Sequence, residues 1–305
     1  MGRVVNLGVF VADTAYRAPR QPKMGETILG KSFVLGPGGK GSNQSVASAM
    51  AGADTHFISR LGKDPFADIA IATWAKAGVH PAITQDPNSY TGAAYIFIED
   101  ATGNNAIIIS PGAAAEISNA DIDANADLIK SAKVFITQLE QPIPVAVYAL
   151  QMARAAGVTT ILNPAPAASL PDGMLALCDY VTPNESEAEA LTGLPVTTVA
   201  EAEIAAEALM KLGAGAAIIT LGDKGALFHD GIRTIHVLPF KVGNVVETTG
   251  AGDAFNGGFA AALSEGMDPA LAVRFGSATA GISVTRAGTA PSMPSRAEIE
   301  ALLKA

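Results

Sequence analysis

Short runs of β-branched and apolar residues alternate along the chain with Ala-rich stretches whose apolar positions recur at the helical period. Val4–Val11 reads as a buried strand, and His56–Ser59, Val134–Thr137, Thr160–Asn163, Tyr180–Thr182 and Ala216–Thr220 read as further short strands. The spacing predicts helices over Asn43–Ala51, Phe66–Ala77, Pro144–Ala156 and Ala200–Leu212, each followed at once by a glycine: Gly52, Gly78, Gly157 and Gly213. Val, Ile and Thr favour strands, Ala, Leu and Glu favour helices, and a glycine just past the last turn takes the left-handed cap. Strands alternating with helices imply βαβ units. The expected class is therefore α/β, with a doubly wound, mostly parallel sheet covered by helices on both faces.

Two stretches break the rhythm. Ala93–Glu99 and Asn105–Ser110 are strand-like and are joined by Asp100-Ala101-Thr102-Gly103-Asn104, a hairpin signal. Gly25–Val34 leans towards strand with no helix beside it. Together they predict a small antiparallel β lid outside the main sheet, contributed by about residues 12–35 and 90–111. No repeat, low-complexity tract or Pro-rich linker interrupts the chain, so residues 1–305 read as one domain plus that lid.

Composition narrows the function. Hydrophobic residues make up 49% of the chain and charged ones 16%, which excludes disorder, and no apolar run reaches the ~18 residues of a membrane span. A net charge of −9 argues against a general nucleic-acid or anionic-membrane binder, because neutralising phosphates needs a basic surface. Cys178 is alone and reads as a small buried hydrophobe. The apolar stretch Val4–Ala12 behind Arg3 resembles a signal peptide, but Asn6 and Gly8 break it and Asp13 ends it; the expectation is a buried strand and a cytoplasmic protein.

Two glycine-rich segments carry the chemistry. Gly36-Pro37-Gly38-Gly39-Lys40-Gly41-Ser42-Asn43 fails as a P-loop, since Gly41 stands where Ser or Thr should follow Gly39-Lys40. Gly36, Gly38 and Gly41 do have the G-x-G-x-x-G spacing, and Arg60 about twenty residues on would suit NADP, so an NADP-dependent oxidoreductase is one alternative. In another reading, Gly38 and Gly39 bring the backbone against a polar ligand, with Lys40 and Asn43 as donors. The second segment, Thr248-Thr249-Gly250-Ala251-Gly252-Asp253, runs into an Ala-rich helix. Amides at a helix N-terminus make an anion cup. Asp253 could serve there as an ordinary helix-capping acid, or as a base that takes the proton of an attacking hydroxyl while the amides hold γ-phosphate charge. A binding protein without catalysis is a further alternative, but it gives Asp253 no purpose.

These segments resemble the signatures of the ribokinase branch of the PfkB-type carbohydrate kinase family. Met24-Gly25-Glu26-Thr27 and Gly38-Gly39-Lys40-Gly41-Ser42-Asn43 match the N-terminal signature. Gln138-Leu139-Glu140, Asn163-Pro164-Ala165-Pro166-Ala167 and Thr182-Pro183-Asn184-Glu185-Ser186-Glu187 match central segments. Thr220-Leu221-Gly222-Asp223-Lys224-Gly225, Thr249-Gly250-Ala251-Gly252-Asp253, Val284-Thr285-Arg286 and Pro291-Ser292 match the nucleotide half and the end. The resemblance implies an ATP- and Mg²⁺-dependent kinase of a sugar hydroxyl, with the 5-hydroxyl of D-ribose as the first guess and another pentose, ketose, polyol or nucleoside as alternatives. It implies Asp253 as base, Gly250, Ala251 and Gly252 as anion hole, and Asp13, Gly39, Lys40, Asn43, Glu140 and Asp253 around the sugar. Asn184, Gly252 and Thr220 to Gly225 (Leu221, Gly222, Asp223 and Lys224 between) would meet the nucleotide, with Ser277 near the adenine. Glu187 would hold Mg²⁺ through water, although Asn184 and Glu187 equally fit a helix capping box. Glu247, Thr249, Ser283, Arg286, Gly288 and Ser292 would surround an activating K⁺, Glu247 replacing a usual Asp. A homodimer through the lid is also implied. One departure stands out: Val11 occupies a position where ribokinases usually carry Asn, which replaces a hydrogen bond to a sugar hydroxyl with an apolar contact.

Overall fold

A computed structural model describes residues 2–305. The chain runs β1 (Arg3–Leu7), β2 (Val11–Ala18), β3 (Ser32–Gly38), α1 (Lys40–Met50), β4 (Asp54–Leu61), α2 (Pro65–Ala77), β5 (His80–Gln85), β6 (Thr91–Glu99) and β7 (Asn105–Gly112). It continues through α3 (Asn119–Ala124), α4 (Ala126–Lys130), β8 (Val134–Thr137), α5 (Ile143–Ala155), β9 (Thr159–Leu162), β10 (Tyr180–Val181), α6 (Glu185–Thr192) and α7 (Val199–Lys211). It ends with β11 (Ala217–Thr220), β12 (Ala226–His229), β13 (Thr234–Val237), α8 (Ala251–Ser264), α9 (Pro269–Ser283) and α10 (Arg296–Lys304).

The main sheet has nine strands in the order β13-β12-β11-β10-β9-β8-β1-β4-β5 and is parallel except where β12 and β13 turn back. Successive residues of its central strands feed opposite faces. Val5, Leu7, Phe135, Ala217 and Ile219 join one apolar cluster with α5 and α7, while Val4, Val134, Ile136 and Ile218 join another with α8, α9 and α10. A strand buried on both faces has no polar positions to alternate, which is why these segments read as unbroken apolar runs. β1 lies between β4 and β8, so the chain leaves β1 on one side and later returns on the other. In such sheets the crevice at the strand carboxyl ends, beside that reversal, is the natural ligand site.

The lid is a second sheet, ordered β3-β2-β6-β7, antiparallel in its two outer pairs and parallel where β2 meets β6. Val4–Val11 is therefore not one strand: the chain leaves the main sheet after Leu7, and Val11 begins the lid. Residues 25–31 form no strand, and the β-leaning stretch takes up pairing only from Ser32. The edge strand β5 has no counterpart among the expected strands, because half-exposed His80-Pro81-Ala82 lacks an apolar run. α2 is capped as its sequence suggests: Asp64 accepts the amides of Phe66 and Ala67, both at 3.0 Å, and Gly78 is left-handed at φ 80°.

One close approach sets the geometry of the crevice. A Cβ on Gly257 would lie 2.4 Å from the Cβ of Ala47 and 2.6 Å from the Gln44 carbonyl oxygen, so α8 rests directly on α1. The same crossing lets Asp253 in the first turn of α8 reach Asn43 and Gln44 near the start of α1.

Candidate active site

Asp253 sits in the first turn of α8, where a carboxylate usually caps the helix. Here it does not. Its Oδ2 accepts the Asn43 Nδ2–H and its Oδ1 the Gln44 Nε2–H, each at 3.0 Å, and the residue is only 7% exposed. Gly250 closes the preceding turn at φ 82°, a conformation that disfavours any side chain. The expected anion cup of Gly250, Ala251 and Gly252 needs one correction: the Ala251 amide turns back to the Thr248 carbonyl at 3.1 Å, since the tight turn into the helix uses it. The amides of Gly250, Gly252 and Asp253 have no partner among the described residues, and a Cβ on Gly252 would meet open space. The cup is therefore displaced by one residue towards Asp253.

Charges converge on the same place from four directions. Burial raises the Asp253 carboxyl above its usual range, against the Lys40 ammonium and the amides of Gln44 and Asn43. Burial likewise pushes Glu140, in the loop after β8, up to about 7, while Lys40 pulls the other way through its charge and through its backbone N–H, which donates to Glu140 Oε2 at 2.8 Å. Asp13 on β2 is raised to about 6, by burial first and then by the charges of Asp253 and Glu247. Burial alone would lower the Lys40 ammonium, but the carboxylates of Asp253, Glu140 and Glu187 more than offset it and raise it. Gly38 has no room for a side chain, because a Cβ there would lie 2.3 Å from Asp13 Oδ2. Gly39, at φ 86°, turns the chain from the lid into α1. Asp13, Gly39, Lys40, Asn43, Glu140 and Asp253 thus share one cleft between lid and sheet, and Asp13 is a mid-strand residue rather than a strand-end cap.

Around this cleft lie the ends of β10 and β11. Asn184 Oδ1 accepts the Glu187 amide at 2.8 Å and Glu187 Oε2 accepts the Asn184 amide at 2.9 Å, so the capping box exists. Glu187 Oε1 has no hydrogen bond among the described residues. Thr220 closes β11, its amide bonded to the Pro183 carbonyl at 3.0 Å, and Gly222–Lys224 form a single exposed turn. The Leu221 side chain belongs to the core at 1% exposure, so only its backbone can meet a ligand. Ser277 lies on α9, its hydroxyl buried without a partner among the described residues. Glu247 Oε2 accepts the Gly288 amide at 2.8 Å, and the Glu247 amide bonds the Val284 carbonyl at 3.2 Å. These bonds bring Glu247 and Thr249 beside the 283–292 loop that carries Ser283, Arg286, Gly288 and Ser292. The Arg286 guanidinium turns away to Glu298, which leaves its backbone for any ion.

The model of the pfkB family carbohydrate kinases matches residues 1–296. The chain belongs to that family. It is 38% identical to the ribokinase of Haemophilus influenzae over 96% of this chain and 95% of that one. It is 36% identical to the deoxyribokinase of Salmonella typhi over 95% and 94%. The structure of Arabidopsis thaliana ribokinase complexed with ribose and ATP superposes with a TM-score of 0.93 at 32% identity, covering 100% of this chain and 99% of that one. This is a sugar kinase, and the oxidoreductase alternative falls on geometry as well: Gly36 and Gly38 lie in lid strand β3, not in the turn after the first strand of the parallel sheet, where a pyrophosphate would need them.

Sequence reasoning overlooked Gln44. It shares Asp253 with Asn43 and donates as well to Asn163 Oδ1 at 2.9 Å. The one sequence signal was the polarity of Gly41–Ser48, five of whose eight residues are polar; the structure buries the run throughout. A polar helix buried on every side has to spend its polar groups on partners.

Proposed function

We propose that this kinase transfers the γ-phosphate of ATP to the 5-hydroxyl of D-ribose, with Asp253 as the general base. The observation that carries the assignment is the buried Asp253 carboxylate lying beside unpartnered amides at the start of α8, within the field of Lys40. Asp253 takes the hydroxyl proton as the sugar oxygen bonds to the γ-phosphorus and the bond to ADP breaks. The amides of Gly250, Gly252 and Asp253 and the Lys40 ammonium hold the charge that builds on the transferred group. Asp13 and Glu140, as carboxylates, accept hydrogen bonds from the remaining sugar hydroxyls, and Asn43 both donates and accepts. The Gly222–Lys224 turn and Ser277 flank the nucleotide. Mg²⁺ would supply positive charge against the phosphates, and Glu187 Oε1, without a hydrogen bond among the described residues, would accept from its water. Thr249, Ser283, Arg286, Gly288 and Ser292, with Glu247, would supply the hard oxygen donors for a monovalent cation.

A second substrate, 2-deoxyribose, is favoured by Val11. It is 5% exposed and lies two residues before Asp13, on the same face of β2, so it sets an apolar wall beside the Asp13 carboxylate. The lid also supports pairing with a second copy: Tyr16, Phe33, Leu35 and Ile108 are 42%, 53%, 41% and 65% exposed and share one lid face by register.

The deciding experiment follows ADP release with ribose, 2-deoxyribose and other sugars, with and without K⁺, alongside Asp253→Asn. That variant should fold and lose at least about a hundredfold in turnover; near-normal turnover removes the base. Val11→Asn should move the ratio of kcat/KM values towards ribose, and an unchanged ratio removes the role of the apolar wall.

A further inference from the structure

We propose that Gln44 and Gln138 form a one-way chain of carboxamides that favours the ionised form of the Asp253 carboxylate and fixes it in position for proton abstraction. The inference rests on Asp253 being the base. Gln138, just past β8, donates from Nε2 to Gln44 Oε1 at 2.7 Å and to Asn6 Oδ1 at 3.0 Å. Gln44 in turn donates from Nε2 to Asp253 Oδ1 and to Asn163 Oδ1. Asn6, Gln44 and Gln138 are each no more than 1% exposed, so no bulk water can repair a wrong orientation.

The direction of the chain follows from an orphan. Gln138 Oε1 has no hydrogen bond among the described residues, and it lies against Gly8 and Gly41, 2.4 and 2.9 Å from where a Cβ on each would stand. Turning the Gln138 carboxamide over would set its oxygen against two acceptors, Gln44 Oε1 and Asn6 Oδ1, and aim its two N–H donors at glycine carbons. One unpaired carbonyl is the smaller penalty. With Gln138 so held, Gln44 must present its oxygen to Gln138 and its N–H groups to Asp253. Asn43 behaves alike: Nδ2 faces Asp253 Oδ2 while its own Oδ1 is left unpaired.

Each carboxylate oxygen of Asp253 therefore already accepts one N–H, and the abstracted proton goes to a remaining lone pair. A carboxylate accepts these bonds more strongly than the neutral acid does, so they favour the ionised form. The other charges facing Asp253 are Lys40 on α1, which favours ionisation, and Asp13 on β2, Glu140 after β8 and Glu187 on α6, which oppose it. The amide chain adds to Lys40 against burial and three like charges, and it does so without placing a second cation beside the transferred phosphoryl group.

The test is the single-turnover rate of phosphoryl transfer at saturating ribose and ATP, measured against pH for the wild type, Gln44→Met and Gln138→Met. Gln44→Met keeps the length of the side chain and removes the donor. Its acid limb should move up by about one pH unit, the shift that losing one charge-assisted hydrogen bond corresponds to. Gln138→Met, which does not touch Asp253, should move the limb the same way by less. Dissociation constants for sugar and ATP should stay within about twofold, as for groups that act on the transition state. A folded variant that keeps the wild-type acid limb and merely loses rate equally at every pH overturns the proposal and leaves the two glutamines a packing role. If Gln44→Met does not fold, the limb of Gln138→Met decides alone. Asp253→Asn separates the two ideas: its loss of turnover supports the base whatever the glutamine variants do.

Discussion

Asp13 lets the price of the sugar site be measured in the absence of sugar. Its carboxylate accepts no hydrogen bond among the described residues, and burial with the neighbouring charges of Asp253 and Glu247 raises it from 3.8 to about 6. The folded state thus holds this proton more tightly than the unfolded chain does. The favourable contribution is fully present below 3.8, is lost as pH rises through about 6, and leaves a constant deficit above that. A shift of about two units corresponds to about 3 kcal/mol. Asp13→Asn removes the charge, keeps the shape and forfeits no internal bond, so the unliganded variant should be more stable than the wild type by about 2–3 kcal/mol at pH 8. At pH 5, midway through the interval, the gain should be about half as large. Urea titration of both proteins at the two pH values measures this directly. A variant no more stable than the wild type at pH 8, or a gain that does not grow from pH 5 to pH 8, refutes the reasoning. The same variant should lose at least about tenfold in kcat/KM for the sugar, since a neutral amide is a poorer acceptor than a carboxylate.

Other outcomes follow from the same geometry. With Asp13 raised to about 6 and Glu140 to about 7, both carboxyls are protonated in acid and ionise as pH rises, so kcat/KM for the sugar should climb between about pH 5 and 8; a profile flat across that range counts against both residues as sugar acceptors. Gly257→Ala would force α8 off α1, because its Cβ would fall 2.4 Å from that of Ala47, and should cost about 1–3 kcal/mol by thermal unfolding together with a fall in kcat from the parted Asp253 and Gln44. Replacing Phe33, 53% exposed on the lid, with Asp should shift sedimentation from dimer to monomer if the lid face is covered by a second copy.

Local chemistry made much of this molecule legible before its coordinates. The parallel strands are buried on both faces and so announce themselves as apolar runs, as β8 does at Val134–Thr137. The glycine turns need left-handed backbone, which Gly250 and Gly39 supply at φ 82° and 86°. Asp253 beside its amide cup was readable for the same reason: residues adjacent in sequence build the start of one helix. Asn184 and Glu187 were readable as a capping box because that motif spans three positions of one helix.

The tertiary structure alone decided what depended on distant residues. That Val11 opens the lid rather than closing β1 follows from its pairing with Gly38 in β3, a contact no local pattern encodes. The Ala251 amide was lost to the cup because the Thr248 carbonyl folds back on it. Gln44 and Gln138 are ordinary polar residues 94 positions apart, and only the crossing of α1 over the end of β8 makes them partners. The sequence by itself thus determined most of the elements and singled out Asp253 at the start of α8, since propensity, periodicity and capping act within one turn or one strand. The surroundings of that carboxylate were decided by the assembled fold, because its donors come from α1 and the opposing carboxylates from β2, the loop after β8 and α6.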